Sequence, residues 1–273
     1  MNRLRLIGPT FGSLFSGIGG LDLGLERAGW QCRWQVEIDA YCRRVLAKHW
    51  PAMPRHADIR ALTGGELEDV DLVAGGFPCQ PISLAGRRRG KDDDRWLWPE
   101  FARLVGELRP RYVCVENVPG LLTQGMGEVL GDLSALGYDA EWQTLPAAAF
   151  GAPQLRYRVW IVAYNHRNRC REWPDQPECQ SQSGEPADPR QGSQTLAGPH
   201  HKPIFRTVLP WPANPPWTTE PEVGRVALRI PRRVDRLRAL GNAVVPVCAE
   251  YIGRLIRGQL EEDVGAIESR PPR

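Results

Sequence analysis

Short stretches of this chain carry side chains able to make and break bonds. Around Cys79 it reads Gly75-Gly76-Phe77-Pro78-Cys79-Gln80-Pro81-Ile82-Ser83, directly after the apolar run Asp71-Leu72-Val73-Ala74. Proline fixes φ and withdraws a donor, glycine permits close approach, and the carboxyl edge of a sheet is where α/β proteins gather their chemistry. A thiol presented there suits a nucleophile; the plainer reading is a buried structural cysteine. Glu116-Asn117-Val118 ends a second apolar stretch and brings a carboxyl group to the same edge. Thiol and carboxyl together suggest nucleophile and proton handler, against the alternative of a helix-capping acid. In Gln154-Leu155-Arg156-Tyr157-Arg158 the alternation of an extended segment puts both arginines on one face. Their guanidinium forks suit a base carbonyl or a phosphate, although surface strand arginines are common.

A ligand loop precedes these groups. Phe15-Ser16-Gly17-Ile18-Gly19-Gly20-Leu21-Asp22 is glycine-rich and lies between an expected strand and helix, where free N–H groups and a helix N-terminus can hold a ligand. The third glycine of a dinucleotide fingerprint would fall at Asp22, so pyrophosphate binding is unsupported and a tight structural turn is the alternative. Glu37 follows at about the interval at which a carboxylate reaches ribose hydroxyls, and Asp58-Ile59 stands where a third strand would end, so Asp58 could accept from an adenine amino group. Surface carboxylates are the plainer reading of both. Arg87-Arg88-Arg89 and Lys91 lie just beyond Cys79, partly cancelled by Asp92-Asp93-Asp94, and a second basic group runs from Arg225 to Arg238. Either is a solvated face or a phosphate contact.

The elements that must position these groups follow from the patterning. From Phe11 to about Val162, short apolar runs alternate with amphipathic stretches, the signature of βα units and a largely parallel sheet. Strands are expected to end at Leu14-Phe15 and to cover Trp34–Glu37, Asp71–Ala74, Tyr112–Val115 and Val159–Val162. Helices are expected over Gly20–Ala28, from the N-cap Asp39 to His49, over Trp96–Leu108 and over Val129–Leu136. Residues from about 165 lose any period and are rich in Pro, Gln, Ser, Asp and Arg, while Val244 to Leu260 is again apolar, as a strand or helix pair.

Composition narrows the class. The 273 residues are 42% hydrophobic and 25% charged with a formal net charge of +3, ordinary for a soluble globular protein and mildly compatible with nucleic acid. The Cys count of 7 is odd, at irregular spacing, which gives no disulfide framework and implies a reducing, cytoplasmic setting. His166, Cys170, Cys179, His200 and His201 are spaced too irregularly for zinc, so no metal is expected. No apolar run approaches the ~20 residues that span a bilayer, so no membrane is expected.

In this order the motifs resemble those of the cytosine-C5 DNA methyltransferases: Phe15-Ser-Gly-Ile-Gly-Gly, Glu37-Ile-Asp, Asp58-Ile, Gly76-Phe-Pro-Cys-Gln, Glu116-Asn-Val, Gln154-Leu-Arg-Tyr-Arg and Gly241-Asn-Ala-Val-Val-Pro. The resemblance implies an α/β, Rossmann-like S-adenosylmethionine-dependent domain with a mixed, mostly parallel sheet over residues 1–164. It further implies a small target-recognition region over 165–224, a return to the catalytic domain over 225–260, and a disordered tail over 261–273. By the same resemblance Cys79 is the nucleophile, Glu116 holds and protonates cytosine N3, Arg158 bonds O2 and Arg156 supports the site. Phe15, Gly17, Ile18, Gly19, Gly20, Glu37, Ile38, Asp58, Ile59, Pro78, Leu97 and Asn242 would line the cofactor site. Gln80, Ser83, Arg87, Arg88 and Arg89 would touch DNA. Double-stranded DNA is the implied partner of a monomer, which serves either as the modification half of a restriction system, with a companion restriction endonuclease on another chain, or in self-protection of a phage genome. Trp96-Leu97-Trp98 departs from the family's usual glycine followed by Leu-Phe, and the recognition region is short. A tRNA cytosine-C5 methyltransferase and a catalytically silent nucleic-acid-binding homologue are the alternatives; the former usually continues its nucleophile motif with Cys-Phe-Thr rather than Pro81-Ile82-Ser83.

Overall fold

The computed structural model describes residues 8–78, 96–165, 204–206 and 232–268. Cys79, Gln80, Ser83 and Arg87 to Arg89 lie outside the described residues, as does most of the expected recognition region.

Seven strands form one sheet: β1 (Thr10–Leu14), β2 (Gln31–Val36), β3 (Arg55–His56), β4 (Leu72–Gly75), β5 (Tyr112–Asn117), β6 (Tyr138–Pro146) and β7 (Tyr157–Asn165), in the order β3-β2-β1-β4-β5-β7-β6. Pairing is parallel from β3 to β5, and β7 runs antiparallel to both β5 and β6. The strand order reverses between β1 and β4, which opens the crevice where open α/β sheets hold ligands. β6 is a strand beyond those expected, and its alternation of buried Tyr138, Ala140 and Trp142 is the period-2 signal that betrays it. The third strand is short: Asp58 lies past its end and caps a 3-10 turn over Ile59–Ala61.

Helices α1 (Gly20–Arg27), α2 (Ala40–His49), α3 (Trp98–Leu108), α4 (Leu121–Gln124), α5 (Met126–Ala135), α6 (Arg233–Asn242) and α7 (Pro246–Glu268) complete the fold. Asp39 is the N-cap of α2, its carboxylate accepting from the N–H groups of Tyr41 at 2.8 Å and Cys42 at 3.0 Å. One apolar layer joins Val73, Val113, Val115 and Ile161 to Phe101, Leu104, Val129 and Leu133 of α3 and α5. The other joins Phe11, Leu72, Cys114 and Val162 to Leu25, Ile252 and Ile256 of α1 and α7. Alternate residues of each central strand thus feed opposite cores.

The C-terminal segment is a single long helix, not a strand or helix pair, and it continues through residues 261–268, where a disordered tail was expected. Its extension is held from outside by Arg111 and Tyr112, since Asp263 accepts from Arg111 Nη2 at 3.1 Å and from the Tyr112 hydroxyl at 3.0 Å, while within the helix Glu261 accepts from Arg257 Nε at 2.9 Å. The span Val234–Asp263 is apolar and long enough to cross a membrane by composition, but Val247, Ala249, Ile252 and Ile256 are buried in the core that α7 shares with α1. That contact requires glycine on α1. A Cβ at Gly20 would lie 2.2 Å from the carbonyl oxygen of Val244, and one at Gly24 would lie 2.3 Å from that of Pro246. The Trp30 indole closes the far end by donating to the Gly253 carbonyl at 2.9 Å. Replacing Gly24 by Val should therefore force α7 away from α1 and destabilise the protein by about 1–3 kcal/mol, read as a lower urea midpoint; an unchanged midpoint would refute this account of the packing.

Candidate active site

The crevice between β1 and β4 is bounded by a loop of unusual backbone. Phe15, Gly17 and Gly19 have φ of 54°, 57° and 84°. The Ser16 N–H donates to Val36 O at 3.1 Å, and the Gly17 N–H to Glu37 Oε2 at 2.7 Å. Glu37 Oε1 accepts from the Asp39 N–H at 2.7 Å. Burial raises the Glu37 pKa, and these two amides oppose the rise by solvating the carboxylate. Open space surrounds the position a Cβ would take at Gly17, and Ile38, next in the chain after Glu37, is 56% exposed. Asp58 is bridged by Arg60 at 3.0 Å, which holds its carboxyl below the usual range. Ile59 is buried, with its carbonyl accepting from Arg103 Nη2 at 3.0 Å. Leu97 precedes α3 and packs partly buried on the main core; Pro78 is half-buried. Ile18, Gly19 and Gly20 face a cavity of about 470 Å³ that Trp50, Arg156 and Val244 also line.

The second group sits at the ends of β5 and β7. Glu116 is paired across the strands with Trp160, so Arg158 lies on the same face at the diagonal position. Arg158 Nε reaches Glu116 Oε1 at 3.0 Å, with both side chains largely buried. Desolvation raises the Glu116 pKa; Arg158 and then Arg156 oppose it. Gly76, on the segment leading to Cys79, makes room for this carboxyl: a Cβ there would lie 2.9 Å from Glu116 Oε2. Asn117 Nδ2 donates to Phe77 O at 3.2 Å, tying the same segment to β5.

Arg156 departs from expectation. It stands before β7 with φ of 36°, so the two arginines do not share one extended face. Its Nη2 instead donates to the carbonyls of Gly241 at 2.8 Å and Ala243 at 2.7 Å, which joins the entry of β7 to the end of α6. Asn242, between those carbonyls, has an exposed side chain. The described cysteines, Cys32, Cys42, Cys114 and Cys248, are all buried. Burial raises the thiols of all four, those of Cys42 and Cys248 to about 12, so none of them is a thiolate at neutral pH.

Two buried carboxylates escaped the motif reading. Glu141 of β6 accepts from the N–H groups of Ile204 at 3.0 Å and Phe205 at 3.4 Å, anchoring the described piece of the segment between β7 and α6. Asp22 of α1 lies under the glycine loop, bonded to Ser13 and Gln35. Asp22 breaks the glycine spacing, and that break was its only trace in the sequence.

The C-5 cytosine-specific DNA methylase family model matches residues 10–201. The chain belongs to that family. Among its relatives, the Type II methyltransferase M.NgoMIV of Neisseria gonorrhoeae is 39% identical over 168 residues, covering 59% of this chain and 53% of that one. M.AquIA of Picosynechococcus sp. is 33% identical over 252 residues, covering 84% and 97%. A solved structure described as a DNA modification methyltransferase encoded within an E. coli prophage superposes with a TM-score of 0.51 at 30% identity, covering 59% of this chain and 48% of that one. The chain thus spans about half the length of several curated relatives it matches, such as 53% of M.NgoMIV and 46% of M.DsaV. The Rossmann-like architecture is common to this chain and the prophage protein.

The ion pair makes a pH-dependent prediction. Glu116 already titrates above its ordinary value, so its contribution to stability is greatest at low pH and declines as pH rises through the folded-state pKa. Replacing Arg158 by Leu removes an opposing charge and strands an ionised carboxylate, a loss of about 3–5 kcal/mol for a buried pair. Urea denaturation should show that loss at pH 8 and a loss that shrinks as the pH is lowered and Glu116 is protonated; a loss independent of pH would exclude the ion pair as the cause.

Proposed function

We propose that this protein is a DNA (cytosine-5)-methyltransferase that uses S-adenosylmethionine and acts on a cytosine extruded from duplex DNA. The single observation that carries this reading is the buried Glu116–Arg158 pair at the sheet edge beside the glycine loop, in a chain of the C-5 cytosine methylase family. A carboxyl group whose burial favours the protonated form is suited to donate to cytosine N3, and a guanidinium fixed against it is suited to bond O2.

Cys79 is the nucleophile in this reading. Its thiolate adds at C6 while N3 is held protonated, and the electron density gathers at C5, the carbon to be methylated. After methylation, loss of the C5 proton to a base expels the thiolate and restores the ring. Glu116 keeps the proton at N3, Arg158 keeps the base in plane, and Arg156 positions the site through the carbonyls of Gly241 and Ala243.

The loop fits the cofactor. Gly17 leaves open space where a side chain would stand, Ile38 offers an exposed apolar surface for a flat ring, and Glu37 presents a carboxylate able to accept further hydrogen bonds. Phe15, Ile18, Gly19, Gly20, Asp58, Ile59, Pro78, Leu97 and Asn242 complete the proposed cofactor site. S-adenosylmethionine held there would supply an electrophilic methyl group. Gln80, Ser83 and Arg87 to Arg89 are the proposed DNA contacts, and residues 165–224 the proposed recognition region, tied to β6 by Glu141. We place the enzyme in the cytoplasm as a monomer, serving as the modification half of a restriction system whose endonuclease is on another chain. The Type II methyltransferase names of its relatives support that role.

The test is transfer of a tritiated methyl group to duplex DNA and to tRNA, together with covalent trapping on DNA containing 5-fluorocytosine, whose C5 fluorine blocks the elimination. Wild type should label DNA and form the trapped complex, and Cys79→Ala should do neither. Labelling of tRNA alone, or a trapped complex with Cys79→Ala, would overturn the assignment.

A further inference from the structure

A hydrogen-bonded chain runs beneath the glycine loop and ends on it. Arg55 Nε of β3 donates to Gln35 Oε1 at 3.0 Å. A guanidinium only donates, so the Gln35 oxygen must face Arg55 and its amide nitrogen must face Asp22, to which it donates at 2.8 Å. The other Asp22 oxygen lies 3.1 Å from the Ser13 hydroxyl, which lies 2.8 Å from the Ser16 hydroxyl. Ser16 sits between Phe15 and Gly17, whose positive φ angles shape the loop.

The directions of the Asp22–Ser13 and Ser13–Ser16 bonds depend on the charge of Asp22. An ionised carboxylate only accepts, so Ser13 must donate to Asp22, and Ser16 must then donate to Ser13. A proton on Oδ2 reverses the sequence. Asp22 donates to Ser13, Ser13 to Ser16, and the Ser16 hydroxyl turns to a carbonyl oxygen, that of Ser13 at 3.3 Å or that of Val36 at 3.4 Å. The loop loses a charge-assisted chain and gains a poor bond. Asp22 is fully buried, and no salt bridge reaches it among the described residues. The groups facing it are Glu26 on its own helix, Cys32 and Gln35 on β2 and Ser13 on β1, with Arg55 beyond Gln35.

We propose that Asp22 is a positioning residue: its ionised carboxylate, acting through Ser13 and Ser16, holds the glycine loop in its donor-binding shape, and protonation releases it. The proposal rests on the methyltransferase reading of the loop. Burial places the switch at a useful point, since desolvation raises Asp22 to about 6. Stability moves the other way. A folded-state pKa raised above 3.8 means that ionisation weakens the fold, so stability is greatest at low pH and falls as pH rises through about 6. The molecule gives up stability above that pH in exchange for an ordered loop.

The opposed signs define the experiment. Binding of S-adenosylhomocysteine by titration calorimetry, between about pH 5 and pH 8, should weaken about fivefold or more in wild type as Asp22 is protonated. Asp22→Asn reproduces the protonated pattern, its oxygen accepting from Gln35 and its nitrogen donating to Ser13, so it should fold. It should bind at the weak level across the range without the inflection near 6, and melt at a higher temperature than wild type at pH 8. Ser16→Ala, which cuts the chain at the loop, should bind at the same weak level and keeps the test alive if Asp22→Asn does not fold. A wild-type inflection that survives in Asp22→Asn would assign it to Glu37, the buried carboxylate that accepts from the loop's Gly17 N–H, and overturn the proposal. So would wild-type binding independent of pH. Failure of wild type to bind at any pH would overturn the methyltransferase reading and this proposal with it.

Discussion

The constraint on which the rest depends is the burial of Glu116 against Arg158. A carboxylate at the end of a central strand is tolerated only if a cation is fixed beside it, and the cation must come from a neighbouring strand on the same face. The antiparallel entry of β7 between β5 and β6 meets that demand, because its start, where Arg158 lies, then falls beside the end of β5. A parallel strand in that place would present its C-terminal end instead. Arg156, just outside the strand, extends the same arrangement to α6 through two carbonyls, so the order of the last strands and the closure of the site share one cause.

The C-terminal segment returns for a related reason. α1 begins at the glycine loop, and its close face admits α7 and the turn before it without intervening side chains. The helix that completes the second core is therefore also the one that fixes the loop's far side, and packing density there bears directly on the shape of the crevice.

Much of this was legible in the sequence because it is written in local signals. Asp39 as a cap, the apolar runs at Leu72–Ala74 and Tyr112–Val115, and the glycine loop each follow from a few adjacent residues. What escaped depends on partners distant in the chain. β6 alternates weakly and carries Glu141 at a buried position, where its carboxylate is satisfied by the N–H groups of Ile204 and Phe205, 63 and 64 residues on. The polar end of α7 reads as a tail until Arg111 and Tyr112 are seen holding Asp263. Arg156 reads as part of a strand because a positive φ outside glycine leaves no mark in sequence. Asp22 reads only as a break in the glycine spacing because nothing near it announces Gln35 or Ser13.

The aromatic rings along α3 bear on precision. Phe15 stacks with Phe101, Phe101 with Trp98, and Trp98 packs on Phe77, which meets Trp96 edge-on at 5.1 Å. Trp96 and Trp98 are themselves pinned by the carboxylates of Glu128 and Asp132 at 2.9 Å and 2.8 Å. Large flat rings have few rotamers and interlock without slack. One end of this stack is the first residue of the glycine loop, and near the other stands Phe77, the residue that leads into Pro78 and Cys79. Two segments that must meet within a fraction of an ångström are therefore gauged from a common rigid block, and an error in one is carried to the other as a shared displacement that leaves their separation unchanged.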